Sequence, residues 1–125
     1  MDRDSNIFIA DTLNNQVQKY SIDGAFIQKW YFDRPAGIAV DVEGHVYVTS
    51  DQYKARVQKF DSNGQECAWE YDDISILYNP QSNRPVGISI SKKGNMYISD
   101  TNGVIRVFKL NGKLKKVWYN NEGFI

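Results

Sequence analysis

The sequence predicts an all-β fold made of repeated, four-stranded antiparallel units, and three observations carry that expectation. Short apolar runs such as IFIAD, GIAV, HVYVT and RVQKF alternate with polar residues on a period of two, the period of a half-buried strand. The turns between many of these runs are short and end in glycine, as in DVEG and DSNG, which is the chemistry of a tight hairpin. The pattern also recurs. RPAGIAVDVEGHVYV (Arg34 to Val48) returns as RPVGISISKKGNMYI (Arg84 to Ile98), displaced by 50 residues without a gap. VQKYSIDG (Val17 to Gly24) returns as VQKFDSNG (Val57 to Gly64) and again as IRVFKLNG (Ile105 to Gly112), displaced by 40 and then 48 residues. Fixed-period self-similarity of this kind is the signature of a repeat architecture.

In chain order, Asp2 to Asn6 aligns with Asp41 to His45, the turn after the first strand of a unit, so unit one is expected to lack its innermost strand. Ile7 to Ala10, Gln16 to Tyr20 and Ala25 to Trp30 supply its other three strands. Unit two runs whole from Pro35 to Trp69. Glu70 to Arg84 is an insertion, expected as an exposed loop from which Ile74, Ile76 and Leu77 pack down over unit two. Unit three follows to Trp118. Roughly eleven strands in three sheets are expected, with repeats spanning about 1–30, 34–69 and 84–118 of a single region covering 1–125. Units of about 40 residues and four strands, arranged radially, point to a β-propeller.

Composition narrows the class. The chain has 125 residues, 42% hydrophobic and 14% aromatic, which is globular rather than disordered. No apolar run approaches the roughly 20 residues that cross a bilayer, and MDRDSNIF has no signal-peptide character, so the compartment stays open. The single cysteine, Cys67, excludes an intramolecular disulfide and is expected as a packed thiol. Net charge is zero, which argues against bulk attraction to nucleic acid. The charge is unevenly spread: residues 1–83 carry 7 basic and 13 acidic side chains, residues 84–125 carry 8 and 2. Lys113, Lys115 and Lys116 form the basic cluster and read as lysines guarding an outer strand against edge pairing.

At this point the residues resemble a known family, the NHL repeat. Its P-x-G-I-A-V-D segment is matched by Pro35 to Asp41, its Y-V-A-D-T segment by Ile9-Ala10-Asp11-Thr12, and its R-V-Q-x-F segment by Arg56-Val57-Gln58-Lys59-Phe60. Gln16 stands where unit one would carry the arginine. The resemblance implies an incomplete propeller of about three blades, where such propellers close with about six. Part of a larger propeller is therefore the expectation, with closure against a second copy as the alternative. It also implies a non-catalytic scaffold binding protein, peptide or small ligand, with single-stranded RNA binding and a lyase- or lactonase-type propeller enzyme as alternatives.

The chemistry-bearing residues are few. One histidine, His45, expected as a solvated turn residue, cannot build a histidine zinc site, and no G-x-S-x-G nucleophile motif occurs, so no enzyme, metal or cofactor is expected. Asp11, Asp51 and Asp100 recur at the exit of each second strand and read as caps of their own loops. A ring of carboxylates holding a cation is the alternative. Trp30, Trp69 and Trp118 end the outer strands and read as packing between blades. Connections after the second and fourth strands are the longer, more variable ones, and function in repeat folds sits on such loops. The candidate partner-binding residues at that end are Arg34, Tyr53, Lys54, Arg84 and Asn102, the arginines being able to fork onto carboxylate or phosphate.

Overall fold

The computed structural model describes residues 5–50, 56–78 and 85–119. Among the described residues, eleven strands arise where the period-two runs lie: β1 (Ile7–Asp11), β2 (Gln16–Tyr20), β3 (Phe26–Tyr31), β4 (Pro35–Val40), β5 (Val46–Ser50), β6 (Val57–Phe60), β7 (Glu66–Cys67), β8 (Pro85–Ile90), β9 (Asn95–Asp100), β10 (Val104–Lys109) and β11 (Leu114–Tyr119). They form three antiparallel sheets in the orders β1-β2-β3, β4-β5-β6-β7 and β8-β9-β10-β11, here called blades one, two and three. Among the described residues, blade one has no innermost strand, as its alignment with unit two predicts. The inner strand β4 packs against β1 on one side and β8 on the other. This is the frame of an incomplete, NHL-type β-propeller.

Two apolar cores hold the blades face to face. Phe8, Val17, Phe32, Val46, Val48 and Phe60 close blade one on blade two. Tyr47, Val57, Met96, Ile98 and Phe108 close blade two on blade three. Strand β5 serves both cores, since side chains alternate across a strand, and it alone among the described strands is buried at every position. Close approach of the inner strands requires the glycine at 37: a Cβ there would lie 2.7 Å from the Val86 carbonyl oxygen of β8.

An aromatic pair recurs at the same place in every blade. Phe8 meets Trp30 with ring centroids 6.1 Å apart, Tyr47 meets Trp69 at 6.0 Å, and Tyr97 meets Trp118 at 5.8 Å. At both joints the hairpin glycine of the following blade lies on the tryptophan of the preceding one. A Cβ on Gly64 would stand 2.7 Å from Trp30 Cε3, and one on Gly112 would stand 3.2 Å from Trp69 Cε3. At the first joint, Lys19 Nζ and Gln28 Nε2 of blade one also donate to the Ser62 and Asn63 carbonyls of the same hairpin, at 2.8 and 2.7 Å.

The insertion departs from expectation. Strand β7 stops at Cys67, so Trp69 lies beyond the strand it was expected to end. The chain instead crosses to blade three, where Tyr71 N–H donates to the Asn111 carbonyl and Asp73 Oδ2 accepts from Leu114 N–H, at 3.0 and 2.8 Å. Residues Asp72–Tyr78 then form a 3-10 helix rather than an exposed loop. Ile74 and Leu77 are buried in the core shared by blades two and three, while Ile76 points to solvent. The segment clasps two blades, and its two buried apolar side chains draw it inward.

Candidate functional site

The two ends of the sheets differ in chemistry. At the variable-loop end, the connection from blade one to blade two is pinned from three directions. Thr12 Oγ1 donates to the Pro35 carbonyl at 2.7 Å, Ser50 Oγ donates to the Asp33 carbonyl at 2.7 Å, and Arg34 N–H donates to Asn15 Oδ1 at 2.9 Å. Arg34 and Asn15 both hold left-handed backbone, at φ of 43° and 53°, a conformation that costs a side-chain-bearing residue energy and persists only where the surroundings impose it. Arg34 is thereby held at a fixed place on the rim, half-buried. Asn102 sits at the same end on the β9–β10 loop of blade three, exposed, with its N–H donating to Asp100 Oδ1 at 2.8 Å. The structure brings these two to one end but on separate blades. Tyr53, Lys54 and Arg84 lie outside the described residues, as does Asp51.

The two described strand-exit aspartates, Asp11 and Asp100, are consumed by their own blades. Asp100 caps its loop, its Oδ1 accepting from Asn102 and Val104 N–H at 2.8 and 3.1 Å, while its Oδ2 takes Arg106 Nη1 at 2.9 Å. Asp11 accepts mainly side-chain amides instead of the expected backbone ones: Asn14 at 2.9 Å, and Gln16 and Gln18 at 3.0 Å each. The Asn14 and Gln16 amides beside it hold its carboxyl below the usual carboxylate range. Among the described residues, no group of three or more His, Cys, Asp or Glu side chains could hold a metal ion.

At the opposite, short-turn end lies a cleft of about 320 Å³ between blades two and three, which sequence reasoning did not single out. Its floor is Asp41, whose Oδ1 accepts from Glu43 and His45 N–H at 2.9 Å each and whose Oδ2 accepts from the Tyr47 hydroxyl at 2.8 Å. His45 is only 30% exposed at its side chain, with Nδ1 3.4 Å from Asp41 Oδ2, so it rests on the carboxylate rather than standing in solvent as expected. Burial and the Asp41 carboxylate push the Tyr47 phenol up, which keeps it a neutral donor. Lys59 and Glu70 complete the polar lining. The arrangement braces a turn and offers charged groups at its mouth, but sets no nucleophile beside a base. The signal for it was Asp41 at the end of its strand with Tyr47 six residues on, a pairing that needs the turn geometry to be seen.

The family model of the NHL repeat matches residues 32–60, from the entry to blade two through the end of β6. Blade two is an NHL repeat. Blades one and three carry the same aromatic pair and hairpin as blade two. Among solved structures, a protein of unknown function from Bacteroides caccae is similar over 92% of this chain and 42% of that one, with a TM-score of 0.60 and 14% identity. The chain thus spans less than half the length of that protein, and at this identity the likeness shows fold alone. No curated protein matches the chain. No helix among the described residues is long and apolar enough to cross a membrane.

Proposed function

We propose that residues 1–125 form one region of a larger NHL propeller that acts as a non-catalytic scaffold, presenting its variable-loop end to a protein, peptide or small ligand. The observation that carries this is a division of labour between positions. Buried or hydrogen-bonded side chains are spent on the fold: the aromatic–tryptophan pairs and the strand-exit aspartates Asp11 and Asp100. Arg34, which returns in sequence as Arg84, and Asn102 stand instead on the loops, and Asn15 holds the Arg34 backbone in place. With its backbone already set, Arg34 loses little main-chain freedom when its guanidinium meets a carboxylate-bearing peptide. Tyr53, Lys54 and Arg84 belong to the same proposed face.

The RNA alternative needs a basic, aromatic-lined surface. The basic cluster instead lies on the outer hairpin of blade three, with Lys113 Nζ 5.4 Å from the Tyr71 ring centroid, Lys115 Nζ 2.9 Å from Asn95 Oδ1, and Lys116 Nζ 5.5 Å from the Trp118 ring centroid. Two measurements test the reading. In a displayed random-peptide selection, enriched peptides are expected to lose binding with Arg34→Ala or Asn102→Ala and to keep it when Lys113, Lys115 and Lys116 are changed to glutamine. Filter binding of several RNA oligonucleotides is expected to give only non-specific affinity, roughly 10⁻⁴ to 10⁻⁶ M at physiological salt, abolished by the triple glutamine change. Sub-micromolar, sequence-dependent RNA binding that falls with Arg34→Ala would overturn the scaffold reading.

A further inference from the structure

Strand register defines one equivalent place in every blade. Ile9, Val48 and Ile98 lie opposite Gln18, Gln58 and Arg106 in turn, so the residue two further along is Asp11 in blade one, Ser50 in blade two and Asp100 in blade three. The sequence repeat had offered Asp51 for this place; the register gives it to Ser50. In blades one and three the carboxylate takes side-chain donors of its own blade, Gln16 and Gln18 at Asp11 and Arg106 at Asp100. Blade two has a hydroxyl there, and Ser50 Oγ is spent on the Asp33 carbonyl. Across the sheet from Ser50 stands Arg56, whose carbonyl accepts the Ser50 N–H at 2.9 Å. Gln16 holds the matching place in blade one and finds an aspartate, whereas Arg56 finds a serine. Among the described residues no carboxylate pairs with Arg56. We propose that Arg56, together with Arg34, takes a carboxylate of an acidic peptide at the loop end of the joint between blades one and two, supplying in trans the pair that Asp100 and Arg106 make within blade three.

The guanidinium is held in position without that partner. Its Cζ stands 4.8 Å from the centroid of the Phe32 ring. Phe32 is 1% exposed, meets Phe60 edge-on at 5.8 Å and donates its N–H to the Asn15 carbonyl at 3.1 Å, so the ring is a fixed platform. Stacking uses the flat face of a guanidinium and leaves the five N–H donors in its plane available to a carboxylate. Arg34 belongs to the same place, because Ser50 ties the two segments together: its Oγ donates to Asp33, next to Arg34, and its N–H to Arg56. Both arginines are half-buried. Both walls of this joint, blades one and two, belong to the chain, so the place does not depend on a further blade.

The chemistry selects a carboxylate. Blade three shows what satisfies such an arginine in this frame, since Arg106 Nη1 meets a carboxylate oxygen at 2.9 Å. A planar guanidinium fork matches the two oxygens of a carboxylate with two parallel bonds. Asp33, half-buried one residue before Arg34, subtracts from the positive field. A singly charged carboxylate suits that field better than a dianionic phosphate or an RNA backbone. A peptide bearing Asp or Glu thereby completes blade two as Asp100 completes blade three. This inference rests on the scaffold reading above and adds to it a ligand class and a second arginine.

The experiment follows the arginine Nε–H resonances of the full chain by NMR during titration with N-acetylated, amidated Gly-Glu-Glu-Gly. The matching glutamine peptide, a phosphoserine peptide and a uridine oligonucleotide serve as comparisons. The glutamate peptide is expected to shift the Arg56 resonance saturably and to leave that of Arg106, which already has Asp100, in place. The glutamine peptide is expected to shift neither. Arg56→Lys keeps a cation over Phe32 but loses the fork, so it is expected to weaken the glutamate peptide roughly tenfold with the melting temperature unchanged. A lowered melt with unaltered binding would make Arg56 a purely structural residue and overturn the proposal. Tighter binding of the phosphopeptide or the oligonucleotide would overturn it too, as would an Arg56 resonance that moves with Asp51→Asn, which would show the arginine serving its own chain. Peptide binding that shifts Arg34 or Asn102 but not Arg56 removes this site and leaves the scaffold reading standing. No peptide binding at the loop end, in the titration or in the selection above, removes both.

Discussion

Arg106 Nη1 lies 2.9 Å from Asp100 Oδ2, and both side chains are buried on the blade-three face that also carries Met96, Ile98 and Phe108. Asp100 at the same time caps the β9–β10 loop through its other oxygen. Removing the aspartate strands a buried guanidinium and two N–H groups. Removing the arginine leaves a carboxylate that still has two donors. Asp100→Ala is therefore expected to cost about 3 kcal/mol or more and Arg106→Met about half that. Urea unfolding of the two variants checks the order, and a costlier Arg106→Met would show that the cap is not what holds the loop.

Gly24 and Gly64 share a left-handed backbone, at φ of 89° and 83°, but only Gly64 lies on a tryptophan. Alanine at either site carries the cost of that conformation, about 1 kcal/mol. At 64 the added methyl must also displace the Trp30 indole, for a further 1–3 kcal/mol or so. Thermal melts of Gly24→Ala and Gly64→Ala are expected to separate by that margin. Equal losses would mean that the hairpin moves freely off the ring.

Among the described residues, Asp11 and Tyr47 are shifted in opposite directions. The Asp11 carboxyl is lowered in the folded chain, so its contribution is present above the ordinary carboxylate value of 3.8 and is lost as pH falls through the lowered one. The Tyr47 phenol is raised, so its contribution is intact below 10.0, the ordinary value, and is lost as pH rises beyond it. Stability is expected to fall at both ends. Asp11→Asn flattens the acid limb and Tyr47→Phe the alkaline limb, as read from urea midpoints across pH. An alkaline limb unchanged by Tyr47→Phe would reassign it.

Leu77 and Ile76 are neighbours with opposite fates, one in the core between blades two and three and the other in solvent. Leu77→Ala is expected to cost about 2–5 kcal/mol through the cavity it leaves, and Ile76→Ala to stay within about 0.5 kcal/mol. Denaturant midpoints decide it. A small loss at Leu77 would mean that the 3-10 segment lifts away without disturbing the blades.

Strand number and order were legible because they depend on local signals: a period of two, glycine-ended turns, and repetition that multiplied each signal by three. The segment after Cys67 was not. Whether Trp69 continues a strand is decided by Asn111 and Leu114 more than 40 residues on, which offer backbone partners that compete with β6. DDISILY likewise reads as a polar loop until a core exists for Ile74 and Leu77 to enter. Arg34 was visible only as a charge; its left-handed backbone is held by Asn15, 19 residues earlier. His45 and Arg106 each take their meaning from an aspartate on an adjoining turn or strand, and the spacing within one strand does not carry that.

The burial of β5 at every position has a kinetic side. Val46 to Ser50 sits between β4 and β6 in its sheet and beneath a packed blade on each face, so its backbone amides open only when both joints and the sheet open together. The amides of β5 are expected to exchange with deuterium most slowly in the molecule, at the rate set by global unfolding, while those of β3 and β11 exchange through local fraying. Blade two is thus the cooperative unit on which the neighbouring blades condense.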